Sequence, residues 1–234
     1  MTDLNQHTDF LNGAVLLIDK PVDWSSFDVV KKIRNLLCHK LKIKKIKVGH
    51  AGTLDPLATG LMVICTGKKT KQIESYQGMP KEYEAVFKLG QTTPSFDLET
   101  EVDQVYPTEH ITKEIILNSI QDLTGESEQI PPIFSAKRLG GKRAYEFARA
   151  GKEMELKPVK INIFKMDLLE FENKDLRLLI RCSKGTYIRA LARDLGEAIG
   201  SGAYLASLRR TAIGDFIVEN ALSPKKFEEI LNNM

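Results

Sequence analysis

Leu61-Met62-Val63-Ile64-Cys65 constrains the chain more than any other stretch, because five consecutive apolar residues leave no polar face for solvent. A run of this length, bounded by turn residues, reads as a short strand buried on both sides. It follows directly on Gly49-His50-Ala51-Gly52-Thr53-Leu54-Asp55-Pro56-Leu57-Ala58-Thr59-Gly60. Pro56 pushes the backbone of Asp55 away from the helical region towards a turn or extended form. The flanking glycines allow another chain to approach the loop closely. Together the two segments predict one carboxylate presented at the edge of a rigid sheet, although an isolated Asp-Pro pair most often just starts a turn.

A chain of 234 residues, 42% hydrophobic and 28% charged, supports one large domain or two small ones without disulfides. Its three cysteines, Cys38, Cys65 and Cys182, lie far apart with no Cys-x-x-Cys spacing, which predicts a reducing compartment and no structural zinc. The four histidines are equally scattered, so no metal cluster is expected. The first residues lack the basic and apolar regions of a signal peptide, and no apolar run reaches membrane-spanning length. A soluble cytoplasmic protein is predicted. The net charge of +3 is small, but its distribution is not even: eight Lys/Arg residues and no Asp or Glu lie between Lys31 and Lys47. Such clustering suits a polyanionic partner, most often nucleic acid.

Ala14 to Ile18 reads as a second buried strand, ended by Asp19-Lys20-Pro21. Ser25-Ser26-Phe27-Asp28 has the form of a capping box, with Asp in place of the usual Glu. Behind it Val29, Val30, Ile33, Leu36 and Leu37 share a helical face, with Lys31, Lys32 and Arg34 off that face. The segment from Lys81 to Leu89 alternates as a strand, with Tyr83, Ala85, Phe87 and Leu89 on one side, and Gly90 ends it. Thr112 caps a helix carrying Ile116, Ile120 and Leu123, which Gly125 closes. Val159, Ile161 and Ile163, with the run from Met166 to Leu168, predict a long strand. Leu176, Leu178, Ile180 and Cys182 alternate in a second, paired with it as a hairpin. Ser183-Lys184-Gly185-Thr186 opens a helix whose Ile188, Leu191, Ala192, Leu195 and Ile199 share a face. Arg189 stands in its first turn, where a positive charge opposes the helix dipole and calls for an anionic partner. Ser223-Pro224 starts a last helix through Leu231. Gly67-Lys68-Lys69-Thr70 hints at a phosphate-binding P-loop, but that pattern needs a glycine where Met62 stands, so no nucleotide site is expected.

The loop from Gly49 to Gly60, its strand and Gly67-Lys68-Lys69-Thr70-Lys71 resemble the catalytic motif of the TruB family of tRNA pseudouridine synthases. In that family the aspartate matching Asp55 is the essential catalytic residue. The segment from Tyr83 to Gly90, followed by Asp97-Leu98-Glu99-Thr100, resembles the family strand whose tyrosine stacks on the target uracil. Pro131 to Gly151, where loop chemistry gives way to a short basic helix with two aromatics, is similar to the family's thumb, which closes over the RNA stem-loop. The stretch from Cys182 to Arg189 resembles a motif whose arginine pairs with the catalytic aspartate. Gly200 to Leu205 and Leu208-Arg209-Arg210-Thr211 continue the resemblance, and the leucine matching Leu208 helps line the uracil pocket. Lys20-Pro21 resembles the turn that opens the family core, and the histidine matching His50 meets RNA at the pocket mouth.

This resemblance covers roughly residues 13 to 222. It implies an α/β (α+β) fold: a mixed, mostly antiparallel sheet flanked by helices, the pseudouridine synthase fold with a thumb insertion. The implied organisation is a tail at 1–12, a catalytic domain at 13–222 with its thumb at about 131–152, and a C-terminal helix at 223–234 without the PUA domain of longer members. The implied activity is isomerisation of the T-loop uridine (position 55) of tRNA to pseudouridine by a monomer, with no cofactor and no metal. Asp55, Arg189 and Tyr83 are the expected catalytic residues; His50, Leu208, Lys20, Lys137, Arg138, Lys142 and Arg143 are expected to bind substrate or RNA. The T arm of tRNA is the expected partner. The alternatives are a non-catalytic RNA-binding or tRNA-folding module on the same basic surface, or a guide-dependent relative inside a ribonucleoprotein.

Overall fold

The computed structural model describes residues 5, 7–134, 138–139, 142–143 and 156–234. It is a mixed α/β structure whose strands pair mostly antiparallel and are flanked by helices. By packing, the chain divides into two compact units, residues 1–83 with 208–234 and residues 84–207.

In the first unit the strand Thr59–Thr66 is central, and every residue from Gly60 to Thr66 is buried. It needs partners on both edges, and it has them. Val15–Lys20 runs antiparallel along one edge, from Val15 opposite Cys65 to Lys20 opposite Gly60. Val48–His50 pairs antiparallel with residues 64–66, and Arg209 and Arg210 pair in parallel with Thr59 and Gly60. The close approach of Arg210 explains Gly60: φ is +105°, and a Cβ there would collide with the Arg210 backbone.

The predicted capping box forms. Ser25 Oγ accepts from the Asp28 backbone N–H, and the Asp28 carboxylate accepts from the Ser25 N–H. The helix behind it, Ser26–Lys40, buries Val29, Val30, Ile33 and Leu37. The last helix, Pro224–Asn233, starts at Ser223 with proline in its first turn and buries Phe227 and Leu231. It docks on the first helix, where Lys32 and Glu228 form an ion pair of 2.6 Å. The stretch expected as a tail is docked from its second half, since Phe10 is buried and its carbonyl accepts from Thr66 Oγ1.

In the second unit the strands lie in the order 84–89, Asp175–Cys182, Val159–Glu172, Gly125–Gln129. The predicted hairpin is antiparallel, with register shifts near Lys165 and Glu170. Thr112 caps the helix Lys113–Asp122 as expected. Gly125, however, does not close that helix; Leu123 is the C-cap, and Gly125 begins the strand Gly125–Gln129. Its sequence, Gly-Glu-Ser-Glu-Gln, carries no apolar alternation, and pairing with Val159–Ile163 supplies what propensity does not. The strand Ala203–Ile213 is likewise additional to the elements expected from the sequence.

Most of the expected thumb, including Lys137 and the stretch 144–152, lies outside the described residues. Arg138–Leu139 and Lys142–Arg143 pair as a two-stranded antiparallel hairpin, and the helix expected in this segment lies outside the described residues.

Candidate active site

Asp55 is half-buried on its loop, and the backbone around it is held from below by buried groups. Ser26, in the first turn of the helix Ser26–Lys40, grips Leu54 twice: Oγ donates to the Leu54 carbonyl at 3.0 Å and accepts from its N–H at 2.8 Å. Lys20 is fully buried, and its Nζ donates to the carbonyls of Pro21 (2.9 Å), Trp24 (2.6 Å) and Pro56 (3.1 Å). The Asp23 N–H also donates to the Pro56 carbonyl, at 2.9 Å. Arg210 is 1% exposed and donates to the carbonyls of Leu61 (2.7 Å), Gly52 (3.1 Å) and Thr53 (3.5 Å). Inside the loop, the Ala58 N–H closes a turn on the Asp55 carbonyl at 3.1 Å. The backbone on both sides of Asp55 is therefore tied to the strands and helix beneath. A carboxylate held this way loses little freedom on binding a substrate.

The electrostatics follow from burial. Removal from water pulls the Lys20 ammonium down from 10.5 to about 8, an effect that the nearby Asp55 and Asp23 carboxylates partly offset. Lys20 therefore remains mainly charged at pH 7. Burial also lowers the Arg210 guanidinium from its ordinary value, while Tyr83, hydrogen-bonded to it, works in the opposite direction. His50, on the strand Val48–His50, is lowered chiefly by burial and is neutral at pH 7. Its Nδ1 is the buried side-chain polar atom left without a hydrogen-bond partner among the described residues. An unpaired buried polar atom costs free energy.

The expected site residues of the first unit, Asp55, His50, Tyr83, Leu208 and Lys20, all belong to its strands and connecting loops. Tyr83 is buried on the apolar side of the strand Lys81–Leu89, whose burial alternates as predicted. Leu208 is half-buried, next to Arg209, which makes a two-bond ion pair with Asp19 at 3.0 and 2.8 Å. Lys20 needs correction. Expected to touch RNA, it has no exposed surface and spends its ammonium on three carbonyls, so it acts as a positioning residue under the loop. Arg210 is the residue to which sequence reasoning gave no role. An arginine beside a second arginine in a strand carries no signal of which one turns inward.

In the second unit Arg189 is 5% exposed. It forms a buried ion pair of 3.4 Å with Asp97 and donates to the carbonyls of Phe134 (3.0 Å) and Ser95 (3.4 Å). Asp97 in turn accepts from the Glu99 N–H at 2.9 Å. The helix bearing Arg189, Ile188–Ala198, has no local side-chain cap. Gln129, fifty-eight residues away, exchanges hydrogen bonds with Tyr187 at 2.9 and 3.2 Å instead. Among the described residues no group of three or more His, Cys, Asp or Glu could hold a metal ion, and no helix is long and apolar enough to cross a membrane.

The chain matches models of a pseudouridylate synthase family over most of its length. The model of the TruB family pseudouridylate synthase N-terminal domain matches residues 39–188, and that of the tRNA pseudouridylate synthase B C-terminal domain matches residues 189–233. The chain belongs to the TruB family. It is 54% identical over 223 residues to a tRNA pseudouridine synthase B of Parabacteroides distasonis, covering 95% of each chain. It is 52% identical to one of Flavobacterium johnsoniae, covering 95% of this chain and 98% of the relative. Among solved structures, a chain of a Cbf5-Nop10-Gar1 complex shares the fold with a TM-score of 0.69 at 24% identity, over 94% of this chain and 54% of that one.

Proposed function

We infer that this chain is a tRNA pseudouridine synthase, an isomerase converting the T-loop uridine (position 55) of tRNA to pseudouridine. The observation that carries the reading is the Asp55 loop, tied at Gly52, Thr53, Leu54 and Pro56 by Arg210, Ser26 and Lys20. Relatives at more than half identity over almost their whole length bear the name tRNA pseudouridine synthase B.

The reaction breaks the N1–C1′ bond of uridine, turns the base and joins C5 to C1′. A proton leaves C5 and one is gained at N1, so atoms and electrons balance without a cofactor. The chemistry needs a carboxylate that is ionised at working pH, to attack the nucleoside or to take a proton. Asp55 is that group. Arg189 is its cationic partner, favouring the charged form. Tyr83 stacks on the extruded ring and Leu208 packs against it. His50 meets the RNA at the pocket mouth. Lys137, Arg138, Lys142 and Arg143, with the basic run from Lys31 to Lys47, hold phosphates and set affinity without reading sequence. Lys40, Lys42, Lys44, Lys45 and Lys47 are exposed, as that role requires. The enzyme works in the cytoplasm as a monomer, with Cys38, Cys65 and Cys182 as free thiols.

Tritium release from [5-³H]uridine-labelled T-arm RNA, with the protein alone, tests the reading. Release without any added cofactor is expected. RNA binding without release from any tRNA would establish a non-catalytic RNA-binding module in its place.

A further inference from the structure

A groove of about 420 Å³ opens beside the catalytic loop, lined by Asp23, Trp24, Asp28, Lys31, Lys32 and Asn35. Its volume lies within the roughly 300–1,000 Å³ of small-ligand clefts. It shares its framework with the Asp55 loop: Lys20 Nζ bonds both the Trp24 and the Pro56 carbonyls, and the Asp23 N–H bonds the Pro56 carbonyl. Whatever occupies the groove therefore sits one short hydrogen-bonded span from the catalytic carboxylate.

The lining chemistry narrows the occupant. Asp28 is committed to the Ser25 backbone and hydroxyl through the capping box. Lys32 is committed to Glu228. The remaining lining groups are the Trp24 ring, the Asn35 amide, the Asp23 carboxylate and the Lys31 ammonium. With two carboxylates and two ammonium groups the lining is balanced in charge, which makes it a poor trap for a bare phosphate. An aromatic wall with an amide and a carboxylate suits a nucleobase instead: the ring offers stacking, Asn35 offers donor and acceptor, and Asp23 accepts from an amino or imino group. Lys31 stands one helical turn from Phe27 at the rim, where it can meet the phosphate next to that base. Asp23 also holds an unusual backbone for a non-glycine residue, with φ at +65°, fixed by its bond to the Pro56 carbonyl.

We propose that this groove is a second base-binding subsite, which takes an unstacked nucleobase of the substrate RNA other than the one isomerised. The proposal rests on the tRNA-modifying activity inferred above. Trp24 is the single tryptophan of the chain, so its fluorescence reports on the groove directly.

The test uses the full chain carrying Asp55→Asn, titrated with an unmodified tRNA transcript and with a DNA hairpin of equal length as control. Saturating tRNA is expected to quench Trp24 emission and shield it from acrylamide, and the DNA hairpin is not. In the catalytically intact protein, Trp24→Leu is expected to raise KM about tenfold, as loss of one base–aromatic stack does, with kcat within about twofold. Asn35→Ala, at an exposed helix position that does not threaten folding, is expected to raise KM severalfold with the same kcat. Unchanged emission and acrylamide access at saturating tRNA, while the intact enzyme forms pseudouridine normally, overturns the subsite. Quenching by tRNA, when the protein with Asp55 intact forms no pseudouridine, supports the subsite and overturns the activity.

Discussion

Lys20→Met separates the two jobs that the buried lysine performs. Methionine keeps an unbranched apolar stem and removes the charge. Burial holds the Lys20 ammonium at about 8 instead of 10.5, which amounts to about 3 kcal/mol of destabilisation by the charged form at pH 7. Against this, the variant strands the Pro21 and Trp24 carbonyls, each at roughly 1–3 kcal/mol; the Pro56 carbonyl keeps its bond from the Asp23 N–H. The two effects oppose each other, so stability at pH 7 is expected to change by less than about 3 kcal/mol. The pH dependence does not cancel. Between pH 8 and 10.5 the unfolded wild-type chain holds a proton that the folded chain has released. Stability of the wild type therefore rises with pH through that window, and the lysine contribution is flat below it. Relative to Lys20→Met, the wild type should gain about 1.4 kcal/mol per pH unit above pH 8. Urea unfolding of both proteins at pH 7, 8, 9 and 10 measures the difference, and the shared tyrosines and cysteines drop out of it. A difference that stays flat from pH 7 to 10 refutes the depressed, buried ammonium. Turnover measured on the same preparations should fall at pH 7 even where stability is kept, because the Pro56 carbonyl has lost one of its two donors.

Asp55→Asn keeps size and shape but removes the charge, so turnover should fall by at least about 10³-fold with RNA binding retained; tritium release beside filter binding measures both, and a variant with a tenth of the wild-type rate would exclude Asp55 as catalyst. Arg189→Met leaves Asp97 as an uncompensated buried carboxylate, which should cost roughly 3–5 kcal/mol of stability, and Arg189→Met with Asp97→Asn should recover a measurable part of that loss in a double-mutant cycle by urea unfolding. Removal of the Arg189 cation should also move the acid limb of the kcat profile upward, since an adjacent positive charge lowers a carboxylate pKa; an unmoved limb with normal turnover would dissolve the partnership with Asp55. Replacing the exposed Lys44, Lys45 and Lys47 by alanine should weaken tRNA binding and flatten the dependence of log K on log salt by roughly one unit for each phosphate no longer neutralised, which binding at several salt concentrations reads directly.

Local chemistry was legible in the sequence wherever the cause lies within one or two turns of chain. The Ser25–Asp28 capping box, the alternation from Lys81 to Leu89, the Ser223-Pro224 helix start and the apolar run from Leu61 to Cys65 all formed as read. Each is decided by side chains a few residues apart, or by a periodicity that permits only one buried face. The motif around Asp55 was legible for a different reason, as resemblance, and the family was found as that resemblance implied. What the tertiary structure alone decided are features whose causes sit far apart along the chain. The strand Gly125–Gln129 has no apolar pattern and exists because Val159–Ile163 offers it an edge. Lys20 reads as a surface lysine until Pro56, thirty-six residues on, brings the third carbonyl to its ammonium. Arg210 turns inward because the carbonyls of Gly52 and Thr53, more than 150 residues earlier, lie off the strands and need a donor. A buried charge is tolerated only where the assembled backbone supplies its acceptors, and that condition exists only once the chain has folded.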